Sequence, residues 1–563
     1  MKRLLSALII LVFCVGHSVQ AQNQLTLEDA VMQQWRKFYP SDLNQFHWLD
    51  QNNYAIVEDN TLLIINGKDT NRISTEMLTS ESLSRFPRIK WENNSQFSYR
   101  LPSDQKVYRY NIETKAKSNY DMGEGVENLN PSPNAQWISY TKGQNFYVFD
   151  TESNTHKTIA ESTEEGISYG QVVHRYEFGV EQGSFWSPKN TYLAYYRNDE
   201  RTVAQYPIVH TNHRIAEPEL IRYPMAGEKS EEVTLEVYVV ETGQTVRVYT
   251  TGDKEQYLTN IAFSPDEETL YIAILNRDQN KVELNAYETR SGRFLNTLFV
   301  ESDEKFVQPL HAMQFIPKRP SEFLWRSKRD GFDHFYRYDT KGKLINQVSK
   351  GDFDVKSALG FVGSKFYYTA YQNQGMEEHL MMSSIFKTKS TKLTSDPGVH
   401  RIQLSKLGRV YDSYSNLETP RKVQLLDYKG KKIKDLHTAK NPYEQVVIAQ
   451  TELNALILED QTILNSRLIK PHDFDPKKRY PVLVYVYNGP GVQLIQNKWL
   501  AGASLWMHYL ANQGYLVYTL DGRGSAHRGK TFEQATFRNL GFVEMEDQIK
   551  GVDYLKSLDF VDK

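Results

Sequence analysis

One pattern constrains this chain more than any other. From residue 46 onward an aromatic or apolar residue, often followed by Ser-Pro or a similar turn, precedes an apolar-aromatic strand, again and again. Trp48 precedes Tyr54-Ala55-Ile56-Val57, and Trp91 precedes Phe97-Ser98-Tyr99. Pro131-Ser132-Pro133 leads to Trp137-Ile138-Ser139-Tyr140, and Phe185-Trp186-Ser187-Pro188 to Leu193-Ala194-Tyr195-Tyr196. Phe263-Ser264-Pro265 leads to Leu270-Tyr271-Ile272-Ala273, and Phe315-Ile316-Pro317 to Phe323-Leu324-Trp325. Weaker copies start near Gly360-Phe361 and Leu404-Ser405. Many units carry a second element of one form, as in Phe146-Tyr147-Val148-Phe149-Asp150-Thr151 and Phe335-Tyr336-Arg337-Tyr338-Asp339-Thr340. Eight starts, about 40–55 residues apart, predict an eight-bladed β-propeller. Only the gap from Trp186 to Phe263 is longer. The 36 Tyr, 26 Phe and 8 Trp suit such pleated, packed surfaces. A set of β-sandwiches would not need this even spacing. A propeller by itself is a platform and names no function.

The pattern changes near the end. Tyr480-Pro481-Val482-Leu483-Val484-Tyr485-Val486-Tyr487 reads as a continuous apolar strand buried on both faces, broken by Asn488-Gly489-Pro490-Gly491. A helix is predicted from about Leu500 to Ala511, a strand over Tyr515–Leu520, and an amphipathic helix over Glu544–Leu558 with Met545, Ile549, Val552 and Leu555 on one face. Strand–helix–strand–helix predicts a doubly wound sheet with parallel strands. Two strands alone would leave an open edge, so the expectation is an α/β domain cut short. The predicted division is a signal peptide at 1–21, an N-terminal segment at 22–45 leading toward the α/β domain, a propeller at 46–465 and the first part of an α/β domain at 466–563.

Residues 1–21 carry the marks of a cleavable export signal: Lys2 and Arg3, an apolar run from Leu4 to Gly16, then Val19-Gln20-Ala21. The run is too short to span a bilayer. The sole cysteine, Cys14, lies within it, so a mature chain would have no disulfide and no thiolate chemistry. A periplasmic or secreted location follows as the expectation, with no membrane span after cleavage. With 67 Lys+Arg against 69 Asp+Glu, nothing in the charge favours nucleic acid as a partner. No metal or cofactor is expected. His210 and His213 are three apart but lack a third ligand, and no phosphate-cradling Gly motif occurs.

The motifs resemble those of the prolyl oligopeptidase family, in its dipeptidyl peptidase IV branch. Val484-Tyr485-Val486-Tyr487-Asn488-Gly489-Pro490 resembles the strand and turn that carry that family's oxyanion tyrosine. Asp521-Gly522-Arg523-Gly524-Ser525, Arg528-Gly529, Leu540-Gly541 and Glu544-Met545-Glu546-Asp547-Gln548 resemble its next block. His174-Arg175-Tyr176-Glu177-Phe178-Gly179 resembles the segment that anchors the substrate amine, and Arg222-Tyr223-Pro224-Met225-Ala226-Gly227 also fits. The resemblance covers nearly the whole mature chain. It is nearest to bacterial prolyl tripeptidyl peptidases and their dipeptidyl peptidase relatives.

That resemblance implies a β-propeller followed by an incomplete α/β-hydrolase domain. It implies a serine exopeptidase that releases di- or tripeptides after proline from peptides with a free N-terminus. It implies a homodimer as well. Glu177 would bind the α-ammonium through a charge-assisted hydrogen bond. The dipeptidyl enzymes use a Glu-Glu pair there; here Tyr176 precedes Glu177, which leans toward tripeptide release. Tyr487 would donate to the oxyanion. Asp521 precedes any nucleophile and so is out of order for the triad acid; it and Arg523 are expected to shape their loop. The one G-x-S-x-G match, Gly166-Ile167-Ser168-Tyr169-Gly170, lies in the repeat without the strand–helix context of a nucleophile elbow. Serine, acid and base are therefore expected beyond Lys563. Two alternatives remain: a non-catalytic peptide-binding propeller or degenerate paralogue, and an oligopeptidase relative without amine anchoring.

Overall fold

The computed structural model describes residues 23–50, 52–67 and 69–563. The export-signal segment and Cys14 lie outside the described residues. Among the described residues, no helix is long and apolar enough to cross a membrane.

Eight antiparallel meanders follow one another from Asn44 to Thr438. Each sequence start falls where a first strand turns into a second. Trp48 ends Asn44–Trp48 before Tyr54–Glu58, and Leu404 ends Val399–Leu404 before Val410–Ser415. The Tyr-rich second element is the third strand, as in Asn145–Asp150 and His334–Asp339. The seventh and eighth meanders join through a single parallel bridge, Glu378 to Val399.

These strands are apolar on both faces because each blade packs on two neighbours. Alternate residues of a strand point to opposite sides. Thus Leu62 and Ile64 enter a core shared with Phe97 of the second blade, while Leu63 enters one shared with Tyr411 and Leu425 of the eighth. Phe366 and Tyr368 face Phe335 of the sixth blade, and Tyr367 faces Val410 of the eighth. Comparable cores lie between each remaining pair of successive blades. The ring closes through the first and last blades, where Phe46 stacks on Tyr411 with centroids 4.1 Å apart. Trp48 Nε1 donates to the Gln403 carbonyl at 3.2 Å across the same seam.

The long gap after Trp186 is an inserted hairpin. Gln205–His210 pairs with Glu217–Arg222 between the second and third strands of the fourth blade. The strand Gln205–His210 is exposed along its length, and Val209 and Leu220 expose more than half of their surface.

The C-terminal sheet has the order Gln450–Ile457, Ile463–Lys470, Leu516–Asp521, Val482–Val484. Several expectations need correction here. Two of these strands precede residue 466 or straddle it, so the α/β sheet begins earlier than the predicted boundary. The first two pairings are antiparallel and only Val482–Val484 pairs in parallel with Leu516–Asp521, so the sheet is mixed. The run 480–487 is not buried on both faces. Its regular strand is the half-buried Val482–Val484, and Val486 and Tyr487 are exposed. On its far side, Tyr480 forms an isolated parallel bridge with Val561.

The two helices also differ from their predicted form. The first covers Leu505–Asn512, behind a turn at Trp499–Gly502 in which Leu500 and Ala501 have positive φ. The second covers Phe542–Ser557 but turns a face inward that shares Leu555 alone, among its buried residues, with the expected one. Val543, Asp547, Gly551 and Leu555 are buried, whereas Met545 and Ile549 expose more than half of their surface. Gly551 is the cause: a Cβ there would stand 3.1 Å from Leu520 Cδ2 and 3.2 Å from Tyr518 Cε1. The helix comes down on its smallest residue, which rotates the buried face away from Met545 and Ile549. Near the N-terminus, helix Leu27–Met32 and Phe38 pack with Tyr443, Val446 and Leu505.

Candidate active site

Tyr487 follows the strand Val482–Val484 at its carboxyl end, where open α/β sheets bind ligands. Its ring is 60 % exposed, and among the described residues its hydroxyl has no hydrogen-bond partner. The turn after it is fastened by side chains. Asn488, with φ 50° and buried, accepts the Gly522 N–H on Oδ1 at 2.9 Å. Asp521 accepts the Ile495 N–H at 2.9 Å and the Leu494 N–H at 3.1 Å. Arg523 in turn grips buried Asp547 on the last helix, with Nη2 2.7 Å from Oδ1. Asp521 and Arg523 thus hold the loops that present Tyr487. Burial pushes the Asp521 carboxyl up to about 6, against the pull of those two N–H groups and of Arg467.

Glu177 sits at the end of a turn, His174–Tyr176, in the fourth blade. His174, Arg175, Tyr176 and Phe178 all have φ between 55° and 63°. Left-handed backbone at successive non-glycine residues is costly and persists only where surrounding contacts enforce it. Those contacts are present. His174 is buried; its Nδ1 donates to Glu231 Oε1 at 3.3 Å, and its Nε2 accepts the Leu258 N–H at 3.1 Å. Burial lowers its pKa, Glu231 opposing, so the ring is neutral as that donor–acceptor pattern requires. Arg175 donates to the Arg222 carbonyl at 2.6 Å and lies over the Tyr223 ring at 4.5 Å, which brings the two propeller motifs together. Gly179, φ 74°, lies so close to the Leu310 carbonyl that a Cβ would be 2.1 Å from its oxygen. The Glu177 carboxylate is exposed and, among the described residues, has no hydrogen bond or ion pair.

Between propeller and α/β sheet lies a cavity of about 340 Å³. Leu310, His311, Lys356 and Tyr371 line it from the propeller, and Pro490, Gly491 and His527 from the other side. Leu310 connects this wall to the Glu177 turn, and Pro490-Gly491 directly continues the Tyr487 turn. No contact joins Tyr487 to Glu177 themselves. His527 stacks on Tyr371 at 3.6 Å; burial, then Lys328 and Lys356, lowers its pKa to about 4, so it is a neutral wall residue. His508 is fully buried, with Nδ1 on the Ala449 carbonyl, away from this cavity. The G-x-S-x-G match is part of strand Ile167–Tyr169, paired with Tyr192–Asp199, and is no elbow.

The seam around the cavity was not legible beforehand. Asp354 of the seventh blade accepts the Asp333 N–H at 2.7 Å and the Gly529 N–H at 2.8 Å, so one carboxylate spans propeller and α/β sheet. Lys530 pairs with Asp303 at 2.8 Å, and Lys328 with Glu533. The only sequence signal was the Arg528-Gly529 dipeptide.

Comparison with known proteins places the chain's family and fold. Residues 85–421 match the model of the dipeptidyl peptidase IV N-terminal region, and residues 502–563 that of the prolyl oligopeptidase family. A Bacteroides ovatus protein provisionally assigned as a dipeptidyl aminopeptidase IV superposes with a TM-score of 0.88 at 32% identity, over 96% of this chain and 80% of that one. Porphyromonas gingivalis dipeptidyl peptidase 4 gives 0.82 at 24%, over the same shares, which speaks to the fold alone. A "Probable dipeptidyl-aminopeptidase B" of Pyrenophora teres f. teres is 26% identical over 534 residues, 85% of this chain and 57% of its own length. That of Pyrenophora tritici-repentis is 27% identical over 487 residues, 77% and 53% respectively. The chain thus spans little more than half the length of these curated relatives. A matched propeller model, a matched segment after it and a superposable bacterial relative leave one assignment: the chain belongs to the prolyl oligopeptidase family, in its dipeptidyl peptidase IV branch.

Proposed function

We propose that this chain supplies the propeller and the oxyanion side of an exported serine exopeptidase that removes di- or tripeptides after proline from peptides with a free amine. Tyr487 is the oxyanion donor and Glu177 the amine anchor. The observation that carries the reading is the unpaired Glu177 carboxylate, held at a fixed place by a strained turn that buried His174 and Glu231 enforce. A fixed carboxylate lets an enzyme measure from the substrate amine. Proline lacks an N–H and fixes φ, which suits it to a dedicated pocket. A single Glu, with Tyr176 where a pair would need its partner, favours tripeptide release. No residue of the chain is assigned as nucleophile. The exposed apolar hairpin of the fourth blade is the surface we assign to a homodimer contact.

The test is calorimetric. Ala-Ala-Pro-Ala with a free amine should bind at least about tenfold more tightly than its N-acetyl form. Glu177→Gln should erase that difference while leaving stability unchanged. Equal binding of the two peptides by the parent chain would remove the anchor role.

A further inference from the structure

A second cavity, of about 230 Å³, lies away from the one described above, where the N-terminal segment, the eighth blade and the α/β sheet meet. Its apolar wall is a ladder of stacked rings. Phe38 stacks on Tyr443 at 5.5 Å and 17°, and Tyr443 on Trp499 at 6.1 Å and 11°. Such a wall is already ordered, so a flat ligand costs little further ordering when it binds.

The charge of the lining is one-sided. Arg401, Arg421 and Lys498 line this cavity, and no Asp or Glu does. Arg421 is engaged at the rim, pairing with Asp42 at 2.8 Å and lying over the Tyr39 ring. Lys498 differs. Among the described residues its ammonium makes no hydrogen bond or ion pair. Burial lowers its pKa; Glu378 opposes this, and Arg401, Arg467 and Lys356 add to it. Glu378, the strongest charge acting on it, is already paired with Lys356 at 2.6 Å, so a half-buried Lys498 ammonium is costly unless another anion joins it. The turn behind Lys498 is strained as well, with Leu500 and Ala501 at φ 57° and 52°. Trp499 Nε1, in the same turn, is a buried donor without a partner. Backbone strain beside an unmatched cation and an unused donor is the pattern of a ligand site.

We propose that this cavity binds a small organic carboxylate with an aromatic body, its ring against the Phe38–Tyr443–Trp499 ladder and its carboxylate on Lys498 and Arg401. The site lies beyond the proposed peptidase site and does not depend on it. Free aromatic acids and the carboxyl-terminal residue of a peptide share this chemistry.

Titration calorimetry of the chain with 3-phenylpropionate tests it, with 3-phenylpropanamide as the neutral isostere and sulfate as the bare anion. The acid should bind at least about tenfold more tightly than the amide and than sulfate. Lys498→Met, and separately Arg401→Gln at an exposed position that leaves the fold intact, should each weaken the acid about tenfold. Acid and amide binding alike, sulfate binding as tightly as the acid, or unchanged affinity in both variants would each overturn the proposal. N-acetyl-Ala-Phe, compared with its carboxyl-terminal amide, separates the sources. A carboxylate-dependent affinity at least equal to that of 3-phenylpropionate assigns the cavity to peptide ends, and a weaker one to free acids.

Discussion

Asp521 holds Ile495: the carboxylate that ends one strand accepts, at 2.9 Å, the backbone N–H of a loop fed by the neighbouring strand. Leu494 N–H adds a second bond at 3.1 Å. The residue thus fixes the path of the chain just beyond Tyr487. The arrangement has a pH signature. Burial raises the carboxyl to about 6, above its ordinary value of 3.8. A carboxyl that holds its proton more tightly in the folded chain favours the fold at low pH, and that contribution is lost as pH rises through about 6. The shift corresponds to about 3 kcal/mol. Asp521→Asn cannot titrate, so its urea midpoint should change less between pH 4 and pH 7 than that of the parent. Parallel pH profiles for parent and variant would rule this out.

His174→Ala should be among the more damaging single changes in the propeller. It leaves Glu231 buried without its ring donor and the Leu258 N–H without an acceptor. A loss of about 3 kcal/mol is expected. The turn it supports carries Glu177, so affinity for a free-amine peptide should fall as well, while affinity for the N-acetyl peptide stays unchanged. A fall in both affinities by the same factor would separate His174 from the anchor.

Gly551 and Ile549 make a paired test of how the last helix docks. Gly551→Val pushes a branched side chain into Leu520 and Tyr518 and should cost about 2 kcal/mol despite better helix propensity. Ile549→Lys, on the exposed side, should stay within about 0.5 kcal/mol. The reverse order in chemical denaturation would put the apolar stripe, not the glycine, inside.

The contrast between those two residues marks what a sequence can and cannot disclose. Strand repeats were legible because blades pack on both sides, so Phe366, Tyr367 and Tyr368 must all be apolar, and the pattern repeats at each blade. The hairpin at 205–222 left only an unexplained gap, because exposed strands carry no alternation to detect. The last helix misled because its inner face combines Gly551 with Asp547, whose burial depends on Arg523 far from it in sequence. The boundary expected at 466 leaves Gln450–Ile457 and the start of Ile463–Lys470 with the propeller, and only the pairing of Ile463–Lys470 with Leu516–Asp521 places them in the α/β sheet. Glu177 and Tyr487 were legible as motif positions. The His174–Glu231 support and the Asp354 bridge were not, since both depend on contacts across long stretches of chain.

Leu220 offers a test of assembly. It is 57% exposed on the hairpin that interrupts the fourth blade. If that hairpin makes a homodimer, Leu220→Glu should shift the chain from dimer to monomer in sedimentation equilibrium without altering its far-UV circular dichroism. A parent chain that is already monomeric at micromolar concentration would remove the hairpin from the argument.

Asp354 bears on whether propeller and α/β sheet unfold as one unit. Its two oxygens serve N–H groups from both, Asp333 on one side and Gly529 on the other. Gly529 is closely packed: with φ 81°, a Cβ there would stand 2.8 Å from Phe332 Cε1 and 2.9 Å from the Gly331 carbonyl oxygen. Asp354→Ala therefore strands two buried donors at the seam, at a cost of about 2 kcal/mol. Lys530–Asp303 and Lys328–Glu533 remain; the first is partly exposed and contributes little, and the second is mostly buried, where desolvation offsets much of its attraction. Calorimetry of Asp354→Ala should resolve two transitions where the parent gives one, and Asp354→Asn, which keeps an acceptor oxygen, should lie between them. A single transition in Asp354→Ala, with an unchanged midpoint, would mean that the paired side chains around the cavity, rather than this carboxylate, hold the two parts together.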